Sequence, residues 1–276
     1  MSDAGGDWPR TPSAAYVTWL RSERRARVVT HGAQASLLIV FLLLWELLPR
    51  WHVINPLFTS YPSALWPTFV DLLKDTPQQA GLGRHALATT MATVIGFGGA
   101  MFLGTSIAAA LWWWQGLYRV LEPYLVEANA IPKTALVPIF YIWLGAAQSV
   151  YAMSLAISLF ITILVIYNGF QNIDPNKIKL AQTFGATRAQ VLTKIVLPGS
   201  VPTLLAALKV TAGLSLVGVV VGELQSANLG LGYLIQYGSQ TFKMNIVMTA
   251  ITLLVILSTV MYLAIGWIET AVMRRR

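Results

Sequence analysis

Cysteine is absent from the 276 residues, which excludes disulfides and thiolate metal sites. The three histidines, at positions 31, 52 and 85, lack the spacing of metal ligands, and none pairs with serine in a catalytic motif. The chain also has no Gly-x4-Gly-Lys-Ser/Thr phosphate loop. Charged residues make up only 11% of the sequence, whereas a soluble domain has about a quarter. We therefore expect a membrane protein, not an enzyme, with no metal or cofactor in this chain.

Long apolar runs take the place of the missing charges, and mean hydropathy is +0.63. Since about 20 apolar residues suffice to cross a bilayer as a helix, we predict an all-α, polytopic membrane protein with about six transmembrane helices. A helix break is expected at Pro132, within the third span. Two short helices are expected between spans, one after Tyr61-Pro62-Ser63 and one headed by Gly230 and Gly232. The six predicted spans are 33–49, 85–113, 121–145, 149–170, 200–224 and 245–270.

Basic residues outnumber acidic ones, 19 against 11, but they do not gather into one face that could bind nucleic acid. If both termini are cytoplasmic, the cytoplasmic segments contain thirteen Lys and Arg residues and the outer segments contain four. This bias follows the positive-inside rule. We therefore predict a cytoplasmic N-terminal tail at 1–32, without a signal peptide, and a transmembrane domain at 33–276 whose C-terminus is also cytoplasmic.

The polar segment 171–199 interrupts the apolar runs and contains its own helix signals. Asp174 can cap a helix with Pro175 at its first position, and Gly185 suits the left-handed residue that ends it. Thr187 can cap a second helix, which is expected to end before Pro198. A rigid helical hairpin follows from these signals. From the residues alone, it could equally be an amphipathic pair packed on the surface without a partner, whereas a DNA-reading helix-turn-helix is disfavoured between two spans.

The spacing of this segment resembles the "EAA" loop of permeases in binding-protein-dependent ABC importers. That motif is Glu-Ala-Ala, three residues, Gly, nine residues, Ile-x-Leu-Pro. The matching positions here are Lys179-Leu180-Ala181, Gly185 and Ile195-Val196-Leu197-Pro198. The stretches "PKTALVPIFYIWLG", "NIDPNKIKLAQTFGAT" and "ANLGLGYLI" are similar to the nitrate/sulfonate/taurine branch of these permeases. Two positions depart from the motif, because Lys179 replaces Glu and Leu180 replaces Ala.

The resemblance implies a transport subunit in a bacterial cytoplasmic membrane that moves a small solute inward by alternating access. It implies a second permease copy, an extracytoplasmic solute-binding protein and two ATPase subunits that hold ATP and Mg²⁺. A small anion such as nitrate, a sulfonate or taurine is the expected solute, and a pyrimidine or aromatic compound is the alternative. A self-contained channel or secondary carrier is the other alternative. The residues that this resemblance assigns to ATPase coupling are Asp174, Pro175, Lys179, Ala181, Phe184, Gly185, Thr187, Leu197 and Pro198.

Ionisable residues within or near the spans are candidates for the solute pathway, because such residues usually face protein or water instead of lipid. They can equally serve helix packing or extend to the membrane surface, which is the favoured reading for Lys209. Glu223 is as well suited to an outer gate as to the scaffold. The predicted pathway candidates are Glu127, Asn129, Lys133, Lys209 and Glu223.

Overall fold

A computed structural model of the chain describes residues 14–55, 58–75 and 80–274, and these residues form helices and no strand. The chain divides into two compact units, Met1–Ser63 and Ala64–Arg276. The first thirteen residues of the predicted N-terminal tail, and the last two arginines, lie outside the described residues.

The first unit contains one long helix, α1 (Ala14–Arg50), which is continuous across the predicted tail boundary at position 32. Its last turns are tied to the chain that follows. The indole of Trp45 donates to the Ser60 carbonyl at 2.7 Å. The Glu46 carboxylate accepts from the backbone N–H of Ser63 at 3.0 Å and pairs with Arg50 at 2.6 Å. The sequence-based boundary between tail and membrane domain stays a prediction.

The second unit is a helical bundle built around three long helices: α3 (Leu82–Trp113), α5 (Val137–Gln171) and α9 (Val201–Ser226). They approach closely because small residues face one another, as is usual between helices in lipid. A Cβ added at Gly96 would lie 2.0 Å from the Ser154 hydroxyl, and one at Gly218 would lie 2.6 Å from the Ser154 Cα. The Ser154 hydroxyl also donates to the Ser215 carbonyl at 3.1 Å, which joins α5 to α9.

Five helices in the described ranges are long and apolar enough to cross a membrane, one fewer than the six predicted spans. The difference lies in the third predicted span. The helix is broken next to Pro132, as predicted. Helix α4 (Gln115–Ala130) ends just before this proline, and a 3-10 turn (Lys133–Leu136) leads from it into α5. Neither piece alone matches a full span. The five helical segments are Ser22–Arg50, Leu82–Trp113, Lys133–Gln171, Val201–Gln225 and Met244–Met273.

Helix α5 contains a reversal at Gly145, whose φ of 79° and ψ of 175° are not helical. The ammonium of Lys133 lies 5.8 Å from the centroid of the Phe160 ring. A straight helix would separate these residues by about 40 Å, at 1.5 Å per residue. The chain therefore folds back on itself at Gly145, which divides α5 into a first leg (137–144) and a second leg (146–171). This turn falls at the predicted junction between the third and fourth spans. The first leg of α5 therefore corresponds to the end of the third predicted span, and the second leg corresponds to the fourth.

The remaining elements are shorter, apart from the last span, α11 (Met244–Met273). Helix α2 (Pro62–Leu72) and helix α10 (Leu231–Gln240) confirm the two short helices predicted between spans. Both pack into one apolar cluster with the start of α3 and of α11, through Leu72, Leu234 and Leu82 among others. The cytoplasm-directed loop predicted at 171–199 contains α6 (Pro175–Thr183), α7 (Arg188–Val191) and α8 (Leu197–Gly199).

Candidate functional site

The first helix of the 171–199 loop begins and ends as its sequence predicts. The Asp174 carboxylate accepts from the Asn176 N–H at 2.9 Å, and Pro175 occupies the first turn. At the other end, Gly185 has a φ of 79°. The Gly185 N–H donates to the Gln182 carbonyl at 2.9 Å, and the Ala186 N–H donates to the Ala181 carbonyl at 3.0 Å. This pair of bonds is a Schellman motif, which requires the left-handed residue that glycine supplies.

The second helix also begins as predicted but continues further. Thr187 and Gln190 form a capping box, in which each side chain accepts from the backbone N–H of the other, at 3.3 and 2.8 Å. The prediction that this helix ends before Pro198 is wrong, because a wide π-type turn (Leu192–Val196) carries the helical path on to Gly199. Proline has no N–H to donate and its ring collides with the carbonyl four residues earlier. A wider turn before Pro198 relieves that collision.

One side of the hairpin is anchored in the bundle. Ile178, Ala181 and Leu197 pack against a buried cluster that includes Phe170 of α5 and Val191. The guanidinium of Arg188 lies over two tryptophan rings at the end of α3, 5.9 Å from Trp112 and 5.8 Å from Trp113. The hairpin is therefore in packed contact with the ends of α3 and α5.

The opposite side of α6 presents apolar side chains to the exterior. Phe184 is 83% exposed and Leu180 is 59% exposed, although both are large hydrophobic residues. They lie four positions apart and so share one face of the helix. Lys179 is exposed next to them. A helix that is anchored on one side and apolar on the other has the form of a surface that a partner covers.

A second candidate site surrounds Glu223 near the end of α9. This residue is 2% exposed, and its carboxyl group accepts two hydrogen bonds from other elements. The Thr89 hydroxyl of α3 donates to it at 2.9 Å, and the Gly232 N–H at the start of α10 donates at 2.9 Å. An ionisable side chain buried within a membrane span requires such partners. Through these two hydrogen bonds Glu223 joins α9 to α3 and α10.

Two further bonds hold the start of α10 to α3. The Leu231 N–H donates to the Thr89 hydroxyl at 2.8 Å, and the Gly230 N–H donates to Nδ1 of His85 at 3.0 Å. The His85 ring is buried and stacks with Tyr233 at a centroid distance of 5.7 Å. We call the arrangement of Glu223, Thr89 and His85 around residues 230–232 the α10 clamp.

A cavity of about 290 Å³ opens beside Glu223. Apolar side chains form most of its wall, and the polar groups that join Glu223 are those of Tyr151 and Asn228. The wall brings together α3, the second leg of α5, the end of α9 and the chain before α10. The remaining lining residues are Ala88, Ala92, Ala146, Ala147, Val150, Ala227 and Leu229.

The other predicted pathway residues do not line this cavity. Lys209 pairs instead with Glu269 of α11 at 2.5 Å and lies 5.5 Å from the Tyr262 ring. The ammonium of Lys133 donates to the Asn129 carbonyl at 2.6 Å, where α4 ends. Glu127 is exposed, and it forms no ion pair with any residue that the structure describes. Sequence reasoning missed Glu269, Thr89 and His85 as partners.

Comparison with known proteins identifies the family. The model for the "binding-protein-dependent transport system inner membrane component" family matches residues 100–275, nearly two thirds of the chain. The chain belongs to this family. As a family member, it is the permease component of a binding-protein-dependent ABC importer, and the ATPase is a separate subunit. The resemblance drawn from the 171–199 loop is thereby confirmed.

Individual relatives agree with this assignment. The permease is 25% identical to the taurine transport system permease protein TauC of Escherichia coli, over 83% of this chain and 84% of that protein. It is 28% identical to the formylaminopyrimidine transport permease protein ThiX of Halalkalibacterium halodurans, over 71% of this chain and 76% of that one. Among solved structures, a chain of the inward-facing MetNI methionine ABC transporter shares the fold. Its TM-score is 0.58 at 21% identity, over 69% of this permease and 95% of that chain.

Proposed function

We propose that α6 of this permease is the coupling helix of the importer, docking into a groove of a cytoplasmic ATPase. ATP and Mg²⁺ are held by two such ATPases, and two permease copies form the membrane part. Closure of the ATPases on ATP then moves the two hairpins together and opens the pathway to an outer solute-binding protein. Both chain termini face the cytoplasm in this proposal, in line with the charge bias of the sequence.

The observation that carries the proposal is the two-sided construction of α6. Phe184 and Leu180 project outward, where a partner could cover them, while Ile178 and Ala181 pack into the bundle. Caps at both ends fix the helix as a rigid unit. A displacement applied to its outer face is therefore passed to α3 and α5 instead of being absorbed within the loop.

The transported solute is proposed to be small, with a sulfonate such as taurine as the first choice. The name of the Escherichia coli relative supports this choice. The name of the Halalkalibacterium halodurans relative supports a pyrimidine as the second choice. Relatives of comparable similarity thus differ in solute, which indicates that the fold alone does not select it.

The test uses Gly185, whose φ of +79° is unfavourable for most residues other than glycine and asparagine. Among the described residues, apart from its two chain neighbours, none has an atom within 4 Å of an added Cβ there, so a substitution strains the backbone without a collision. Gly185→Val should cost about 1–3 kcal/mol locally and misplace α6, whereas Gly185→Asn is the matched control because asparagine tolerates this conformation.

Both variants are purified with the ATPase in nanodiscs, and ATP hydrolysis is measured with and without solute-loaded binding protein. We expect the valine variant to insert normally but to lose ATPase binding or the stimulation of hydrolysis, while the asparagine variant keeps both. Full binding and full stimulation with valine would show that α6 is not the coupling element.

A further inference from the structure

The cavity beside Glu223 has the dimensions of a small-molecule site. Its volume of about 290 Å³ is near the lower end of ligand pockets, roughly 300–1,000 Å³. It lies between α3, the second leg of α5 and α9, the three helices that form the core of the bundle. Alanines at positions 88, 92, 146 and 147 leave the space open, and Tyr151 offers an aromatic wall.

The start of α10 would ordinarily favour an anion in this region, because the free N–H groups of a helix N-terminus bind negative charge. Here those groups are already used. The Gly230 N–H donates to His85, the Leu231 N–H to Thr89 and the Gly232 N–H to Glu223. The protein's own carboxyl group thus occupies the position that an anionic ligand would take.

Among the described residues that line the cavity, there is no cationic side chain that could pair with an anionic ligand. Whether ionised or neutral, Glu223 brings an acceptor oxygen and no positive charge. The amide of Asn228 and the hydroxyl of Tyr151 at the wall can each accept or donate a hydrogen bond, and neither has a charge. An anionic group entering the cavity would lose its hydration without gaining a counter-charge, which is unfavourable. An N–H donor would instead find acceptors.

We propose that this cavity binds the transported solute through a hydrogen-bond donor, an ammonium or a heterocyclic amino group, and rejects a purely anionic solute. The inference rests on the proposed transport function and narrows its solute class. Nitrate and simple alkanesulfonates fall outside that class, whereas amino-bearing zwitterions and aminopyrimidines fall within it. Glu223 acts as the acceptor that distinguishes them.

The experiment compares two pairs of probes that differ by one amino group: taurine with ethanesulfonate, and 4-aminopyrimidine with pyrimidine. Binding to the permease–ATPase complex in nanodiscs is followed by saturation-transfer NMR. In at least one pair, the amino-bearing probe should bind saturably and its partner at least tenfold more weakly. Glu223→Gln should reduce that difference, since an amide is a weaker acceptor for an ammonium than a carboxylate is.

Ala88→Leu supplies a second arm that leaves the acceptor unchanged, because it fills the cavity from α3. It should abolish binding of the amino-bearing probe, while Ala206→Leu, an exposed position of α9 away from the cavity, should not. Equal binding within both pairs, no saturable binding of either amino-bearing probe, or binding that survives Ala88→Leu would each overturn the proposal. These outcomes are independent of ATPase stimulation in the Gly185 variants, so failure of the transport function would be recognised separately.

Discussion

Gly230 holds the α10 clamp in its present geometry, and replacing this glycine with alanine tests the clamp directly. Its φ is +122°, a conformation that side chains rarely adopt. An added Cβ would lie 2.2 Å from Cδ of Glu223 and 2.3 and 2.5 Å from its two oxygens. The carboxyl group must therefore leave its place, and Thr89 and Gly232 lose their acceptor.

The cost can be assembled from these two effects. Backbone strain at such a position costs about 1–3 kcal/mol, and each buried polar group left without a partner costs about 1–3 kcal/mol. Partial relaxation makes these contributions less than additive. We therefore expect Gly230→Ala to destabilise the permease by about 3 kcal/mol, near the upper range of single substitutions.

The assay is the thermal midpoint of the detergent-solubilised permease, read as the folded fraction that survives heating. Gly98→Ala is the matched control, because Gly98 lies within α3 and an added Cβ there meets no atom within 4 Å from the other described residues outside its own stretch of helix. Alanine in a helix should be neutral or stabilising by up to about 1 kcal/mol. A midpoint for Gly230→Ala equal to that of Gly98→Ala would refute the account of the clamp.

Other predictions follow from separate contacts. Lys209→Met and Glu269→Gln should each lower the thermal midpoint, and the double variant should lose no more than the worse single variant, since both break one ion pair; full additivity would contradict the pairing. Lys133→Met should lower solute uptake while ATPase assembly persists, and unchanged uptake would limit Lys133 to capping α4. On intact cells, an impermeant thiol reagent should label Lys74→Cys and not Lys179→Cys, and the reverse pattern would invert the proposed topology.

The 171–199 hairpin could be predicted almost completely because its signals are local. Asp174 and Thr187 cap the helices that follow them directly, and Gly185 ends the helix just before it. Each signal acts within four residues, so no knowledge of the bundle is needed. The one error, at Pro198, arises because proline was taken to end a helix that a wider turn carries past it.

The third span was harder to delimit, because an apolar run indicates that a segment lies in the membrane but not where its helix breaks or turns. Pro132 indicated the break in the helix, and the structure has it. The predicted junction between the third and fourth spans, at 145–149, coincides with the turn that divides α5. The reversal depends on one backbone conformation, at Gly145. Several other glycines in these spans serve close packing, so the presence of glycine did not by itself predict a sharp reversal.

The α10 clamp could not be predicted from the sequence, because its contacts join residues that are far apart in the chain. Glu223 in an apolar helix predicts that some partner must exist, since an unpaired carboxyl group in lipid is costly. The partner is Thr89, 134 positions away, and His85 meets Gly230 across 145 positions. Threonine and histidine near a span can serve many structural purposes, so the sequence did not identify Thr89 and His85 as partners in the clamp. Only the packing of α3 and α9 against α5, which small residues permit, brings the three side chains around the start of α10. Glu223, the acceptor that we assign to solute selection, could be identified from the sequence as an ionisable residue in a span. Its hydrogen-bond partners could not, because they are brought to it by tertiary packing.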